Sequence, residues 1–202
     1  MRETAARYYD DKLRQFGAVA RGVDWNSEES QVLRFAQLLR LIDDPEIATV
    51  NDYGCGYGAF ASYLRGHGFQ GRYTGFDVSA PMIAQAAAAH GGDPSSSFTT
   101  QRRAVLRADY TFASGVFNVK QEHEPAAWQD YVIATLRDID CISAKGFAFN
   151  MLSSYSDRDK QRATLFYADP AFFFAYCKTH FAKRVALLHD YPLYEFTIVV
   201  RK

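Results

Sequence analysis

The stretch Asp52-Tyr53-Gly54-Cys55-Gly56-Tyr57-Gly58 decides the reading of this chain. The segment leading into it, Ile47 to Tyr53, is rich in apolar and β-branched residues and predicts a strand. Beyond it, Phe60, Leu64 and His67 recur at helical spacing. Glycines at alternate positions of a strand-to-helix turn let the backbone approach a ligand closely. The next predicted strand, Arg72 to Asp77, ends on an acid 19 positions after Gly58. In nucleotide-binding folds a carboxylate at that place hydrogen-bonds ribose hydroxyls.

The pattern extends in both directions from this turn. Upstream, residues 3–16 read as a polar helix carrying Tyr8 and Tyr9, and Gly17 and Gly22 bracket a break. Asn26 followed by Glu29 predicts a capping-box helix start. Val32, Phe35, Ala36, Leu39 and Ile42 then form a helical stripe that Asp44-Pro45 stops. Downstream, Ser79 caps a helix with Pro81 in its first turn, and Gly91-Gly92 ends it. Phe98 to Thr100 is a third strand and Tyr110 to Val119 a fourth. A helix entered at Pro125 carries Trp128, Val132, Thr135, Leu136 and Ile139, and Gly146 to Leu152 is a fifth strand. Asp169-Pro170 opens the last helix, and Val185–His189 with Tyr194–Val200 reads as an antiparallel hairpin. Alternating strands and helices imply an α/β fold, a mainly parallel sheet covered on both faces. The organisation expected is an N-terminal helical extension over residues 1–45 and one globular domain over 46–202.

Two ligands compete for the glycine turn. Gly54, Gly56 and Ala59 satisfy the dinucleotide fingerprint G-x-G-x-x-G/A. Asp52 argues the other way, because a carboxylate two residues before the first glycine repels a pyrophosphate. S-adenosylmethionine has no phosphate; its ammonium and sulfonium are cationic, and a carboxylate attracts them at short range. Here the sequence resembles the class I S-adenosylmethionine-dependent methyltransferases. The acidic-x-Gly-x-Gly-x-Gly motif of that family matches Asp52, Gly54, Gly56 and Gly58, and its ribose-binding acid matches Asp77. The resemblance implies a three-layer Rossmann-like fold, a seven-stranded mostly parallel sheet with a C-terminal antiparallel strand. It implies S-adenosylmethionine as cofactor, contacted by Asp52, Tyr53, Gly54, Cys55, Gly56, Gly58, Asp77, Val78, Met82, Ser114 and Gly115. The family's adenine-contacting acid has no counterpart in Thr100-Gln101-Arg102-Arg103, which leaves Gln101 for that contact.

Ligands of open α/β sheets bind beyond the carboxyl ends of the strands. That rule nominates Asn118 and Tyr155 for the acceptor, with Tyr9 and Trp25 from the N-terminal extension, where the family places a lid. Should the acceptor need deprotonation, His123 and His189 are the candidate bases. The connection from Ser153 to Ala168 is long for its kind. Its Arg158, Lys160 and Arg162 read either as a solvated face or as recognition of a carboxylate or phosphate. Arg34 is a further candidate, for the cofactor carboxylate.

Composition sets the bounds. The chain has 202 residues, with 23 Lys+Arg against 23 Asp+Glu, and is 15% aromatic. Zero net charge argues against long nucleic acid, whose phosphates need clustered cations. No run approaches the roughly 18 apolar residues of a membrane span. Cys55, Cys141 and Cys177 match neither a zinc spacing nor a disulfide framework, so no metal and a cytoplasmic setting are expected. The expected partner is a small-molecule methyl acceptor, with self-association left open. The rivals are an NAD(P)-binding oxidoreductase, a non-catalytic cofactor-fold module and an aminopropyl transferase.

Overall fold

Strand β1 (Val50–Tyr53) is buried at all four positions, as a strand must be with neighbours on both edges and helices on both faces. The computed structural model describes residues 1–42 and 47–202; the expected helix stop at Asp44-Pro45 lies outside the described residues. On one side of β1 lie β2 (Tyr73–Phe76) and β3 (Ser96–Thr99). On the other lie β4 (Ala108–Ala113), β5 (Ser143–Leu152), β7 (Glu195–Arg201) and β6 (Arg184–Leu188), giving the order β3-β2-β1-β4-β5-β7-β6. Only β7 runs against the rest, pairing antiparallel with β5 and β6. The expected seven-stranded, mostly parallel sheet with its late antiparallel strand is therefore present. Its topological switch point falls between β1 and β4, where the crevice at the strand ends opens.

Period-two alternation assigns the strand residues to two cores. Phe147, Phe149 and Met151 of β5 and Phe196, Ile198 and Val200 of β7 point to one face, under α5 (Pro125–Cys141) and α6 (Pro170–His180). Ala148 and Val199 point to the other, under α2 (Glu28–Leu39) and α3 (Ala59–Gly66). The expected stripe on α5 is buried in full at Trp128, Val132, Thr135, Leu136 and Ile139. Ser79 caps α4 (Ala80–His90) by accepting from the Met82 N–H at 3.1 Å.

Four expectations are corrected. The third strand starts two residues earlier than Phe98. The fourth ends at Ala113, because Gly115 turns the chain at φ 72°; Phe117 and Val119 are buried in a loop, and burial rather than pairing explains the apolar run. The capping box of α2 is Ser27 with Ser30, not Asn26 with Glu29. The inner face of α2 is Gln31, Arg34, Phe35 and Leu38, while Val32 stands 42% exposed; two of those inward positions are polar, which defeats an apolar-stripe search. By contrast α1 (Arg2–Phe16) has no buried residue. It rests on the 3-10 turn Ala20–Val23 and on α4.

Phe149 is fully buried between α5 and β7. Phe149→Ala should cost about 3–5 kcal/mol by leaving a cavity, read as a lower denaturation midpoint with an unchanged slope.

Candidate functional site

The turn after β1 is drawn tight by backbone bonds. Gly54 N–H and Cys55 N–H both donate to the Phe76 carbonyl, at 2.7 and 3.0 Å. Gly54 has φ 84°, and a Cβ there would lie 2.5 Å from Val116. Asp77, just past β2, accepts from Gly56 N–H and from Ser79 N–H, both at 2.9 Å. The β2 acid thus shapes the glycine loop and the start of α4 at once.

This turn floors a cavity closed by the N-terminal segment. Arg2, Ala5 and Tyr9 of α1 line it, with Val23 and Trp25, against Asp52 to Tyr57, Asp77, Val78, Met82 and Ser114 to Val116. Arg2 donates to the Tyr53 hydroxyl at 3.1 Å, and Ser79 donates to Asp10, so α1 is latched at two points. Asp52 is 2% exposed, and the one hydrogen-bonding partner of its carboxyl group among the described residues is the Tyr73 hydroxyl at 2.5 Å. Burial pushes its carboxyl up to about 7, with the Tyr73 bond pulling down and nearby Asp77 adding to the rise. Burial also raises the carboxyl of Asp77, against three backbone hydrogen bonds. Ser114 Oγ is buried with no hydrogen-bonding partner among the described residues.

A second cavity adjoins the first, and Tyr9, Val23, Trp25 and Gly115 line both. One buried network holds this junction. Arg34 clamps Glu195 at the start of β7, Nε to Oε2 at 2.8 Å and Nη2 to Oε1 at 2.6 Å. Asn150 Nδ2 donates to the same Oε2 at 2.6 Å, and Asn150 Oδ1 accepts from Gly115 N–H at 2.8 Å. The Arg34 guanidinium lies 3.9 Å from the Trp25 ring centroid. A Cβ at Gly115 would meet that indole at 2.4 Å, so the ring sits directly on the glycine.

Of the cofactor residues expected from sequence, ten line the first cavity: Asp52, Tyr53, Gly54, Cys55, Gly56, Asp77, Val78, Met82, Ser114 and Gly115. Gly58 stands behind it as the left-handed cap of α3, and Gln101 is exposed and outside it. Of the acceptor candidates, Tyr9 and Trp25 bridge the cavities and Asn118 lines the second, its side chain accepting from Leu152 N–H at 3.0 Å. Tyr155 is 75% exposed and lines neither. Neither histidine reaches a cavity: His123 stacks on Trp128, and His189 packs against Tyr155 and Phe196. Arg34 is spent on Glu195, and Arg102 on Asp138. Arg2, Ala5, Lys12, Arg21 and Asp24 escaped the sequence reading. Arg2, Ala5, Tyr9, Lys12 and Phe16 share one face of α1, but the mixed polarity of that stripe hides it.

The fold and its switch-point cavity define a Rossmann-like methyltransferase, and comparison with known proteins agrees. A family model described as a methyltransferase domain matches residues 2–161. The chain therefore belongs to that methyltransferase family. The Mycobacterium tuberculosis protein Rv1506c, whose name describes it as a methyltransferase, is 46% identical over 164 residues, 81% of this chain and 99% of its own. Among solved structures, the DhpI-SAM-HEP complex superposes with a TM-score of 0.70 at 16% identity, covering 99% of this chain and 97% of that one. The N-methyltransferase NodS of Bradyrhizobium japonicum, with S-adenosyl-L-homocysteine, gives 0.66 at 16% identity, covering 98% and 97%. Magnesium protoporphyrin IX methyltransferase of Synechocystis gives 0.69 at 14% identity, covering 100% and 98%. At such identities these structures share the fold.

Glu195→Ala would strand the Arg34 guanidinium in the interior and should cost about 3–5 kcal/mol. The double substitution Arg34→Met with Glu195→Met should recover most of that loss in chemical denaturation, yet change the tryptophan fluorescence, since the Trp25 ring loses the cation that seats it.

Proposed function

We propose that this chain transfers a methyl group from S-adenosylmethionine, held in the first cavity, to a small-molecule acceptor in the second. Asp52 carries the reading. It is a carboxylate buried at the end of a central strand with no cationic side chain bonded to it among the described residues. Such a group is costly unless a positive charge arrives with the ligand. The cofactor's ammonium is such a charge, and Asp77 and the unpartnered Ser114 Oγ offer further polar contacts. A dinucleotide fits worse, because its pyrophosphate would face Asp52 and Asp77 with Arg2 as the one lysine or arginine lining the cavity among the described residues.

When bound, the cofactor supplies both the activated methyl group and its leaving group, so orientation and dryness are what the protein adds. Tyr9 and Trp25 close the junction against water. Burial pushes the Tyr9 phenol upward, so it stays protonated near neutrality as a hydrogen-bond donor. No proton-accepting step is assigned to His123 or His189, which stand outside both cavities. The cations of the 153–168 connection suit an acceptor bearing a carboxylate or phosphate. The setting proposed is cytoplasmic; no described helix is long and apolar enough to cross a membrane.

Calorimetry should show binding of S-adenosylmethionine and S-adenosylhomocysteine and none of NAD; the reverse pattern would sink the assignment. Asp52→Asn should weaken cofactor binding by about tenfold or more, the worth of a charge-assisted bond. In the wild type, affinity should rise as pH climbs through about 7 and Asp52 ionises, and the variant should lose that rise. Stability moves the opposite way. A carboxyl raised from 3.8 to about 7 stabilises the fold at low pH, and that contribution is lost as pH rises through about 7. Denaturation of the ligand-free chain should therefore show Asp52→Asn gaining on the wild type between acidic and alkaline pH.

A further inference from the structure

The two cavities carry opposite charge. The first is lined by Arg2 against Asp52 and Asp77. The second is lined by Lys12, Arg21, Arg34, Lys160 and Arg162 against Asp24 and Glu195, five cations to two carboxylates. Both carboxylates are already matched. Lys12 pairs with Asp24 at 2.7 Å, and Tyr8 also donates to Asp24. Arg34 holds Glu195. Lys160 meets Asp159 at 3.0 Å in an exposed pair, a weak restraint on either partner. Arg21 and Arg162 remain, without an anionic partner among the described residues. They come from different elements, the 3-10 turn before Trp25 and the connection after β5. Arg162 lies close enough to Tyr8 to act on its phenol electrostatically. The same cavity is also lined by apolar and aromatic side chains, Phe16, Val119, Leu165 and Tyr167.

Resting on the reading that the second cavity receives the acceptor, we infer that Arg21 and Arg162 form its oxyanion subsite, and that the acceptor is an amphipathic organic acid. Guanidinium is the cation best matched to a carboxylate or phosphonate, since its planar fork donates two parallel hydrogen bonds. The apolar lining takes the body of the molecule, while the excess of positive charge rejects amines. Cofactor and acceptor are thereby sorted by sign, each to its own cavity, before any close contact forms.

The full chain loaded with S-adenosylhomocysteine, at low salt, is titrated calorimetrically with phenylacetate, benzylphosphonate, phenylacetamide and benzylamine. The two oxyanions should bind, the stronger of them naming the acid type, and the amide and amine should bind at least about tenfold more weakly. Arg21→Gln and Arg162→Gln should each weaken the oxyanions while leaving the melting temperature and S-adenosylhomocysteine affinity unchanged, and added salt should weaken them too. Equal binding of amide or amine, no binding of either oxyanion, or indifference to both substitutions overturns the proposal. Failure of S-adenosylhomocysteine to load would count against the methyltransferase reading instead, and the same titrations on the unloaded chain would still decide the anion subsite.

Discussion

One buried ion pair joins the N-terminal third of the chain to the sheet. Arg34 and Glu195 are 161 residues apart and nearly inaccessible, and the Glu195 carboxylate accepts two hydrogen bonds from Arg34 and one from Asn150. A pair this dry gains little over an apolar contact, because desolvation offsets the Coulomb attraction. What it gains is placement. Through Asn150 it reaches the Gly115 amide, and through the guanidinium face it seats Trp25. Trp25 in turn lines both cavities, so the pair is tied to each of them.

The two cavities solve opposite electrostatic problems on one crevice. Among the described residues no cationic side chain is bonded to Asp52, which costs stability once it ionises. On the other side the carboxylates are paired with Lys12 and Arg34, and Arg21 and Arg162 have no anionic partner among the described residues. The zero net charge of the whole chain therefore conceals a local separation of sign.

Much of the fold was readable from the residues because it rests on short-range rules. The glycine turn, the acid at the end of β2, the Ser79 and Asp169 caps and the apolar stripe of α5 are local patterns, and each falls where expected. The misreadings share one cause. In α2 the inward face carries Gln31 and Arg34, and in the 114–119 segment a loop is as apolar as a strand. Periodicity reports burial, and it misleads where a buried position is polar by design or a buried segment is irregular.

The sequence by itself determined the floor of the first cavity, since Asp52, Gly54, Gly56 and Asp77 lie within one strand-turn-helix-strand unit and are brought together by local chain geometry. Only the tertiary structure decided the second cavity. Tyr9, Arg21, Arg34, Arg162 and Glu195 come from five separate segments, and no spacing relates them. Arg34 and Arg162 were both plausible anion binders as text. Among the described residues, folding placed a glutamate against the first and no acid against the second, and that difference in partner, not in residue type, makes the first a structural clamp and leaves the second lining the cavity.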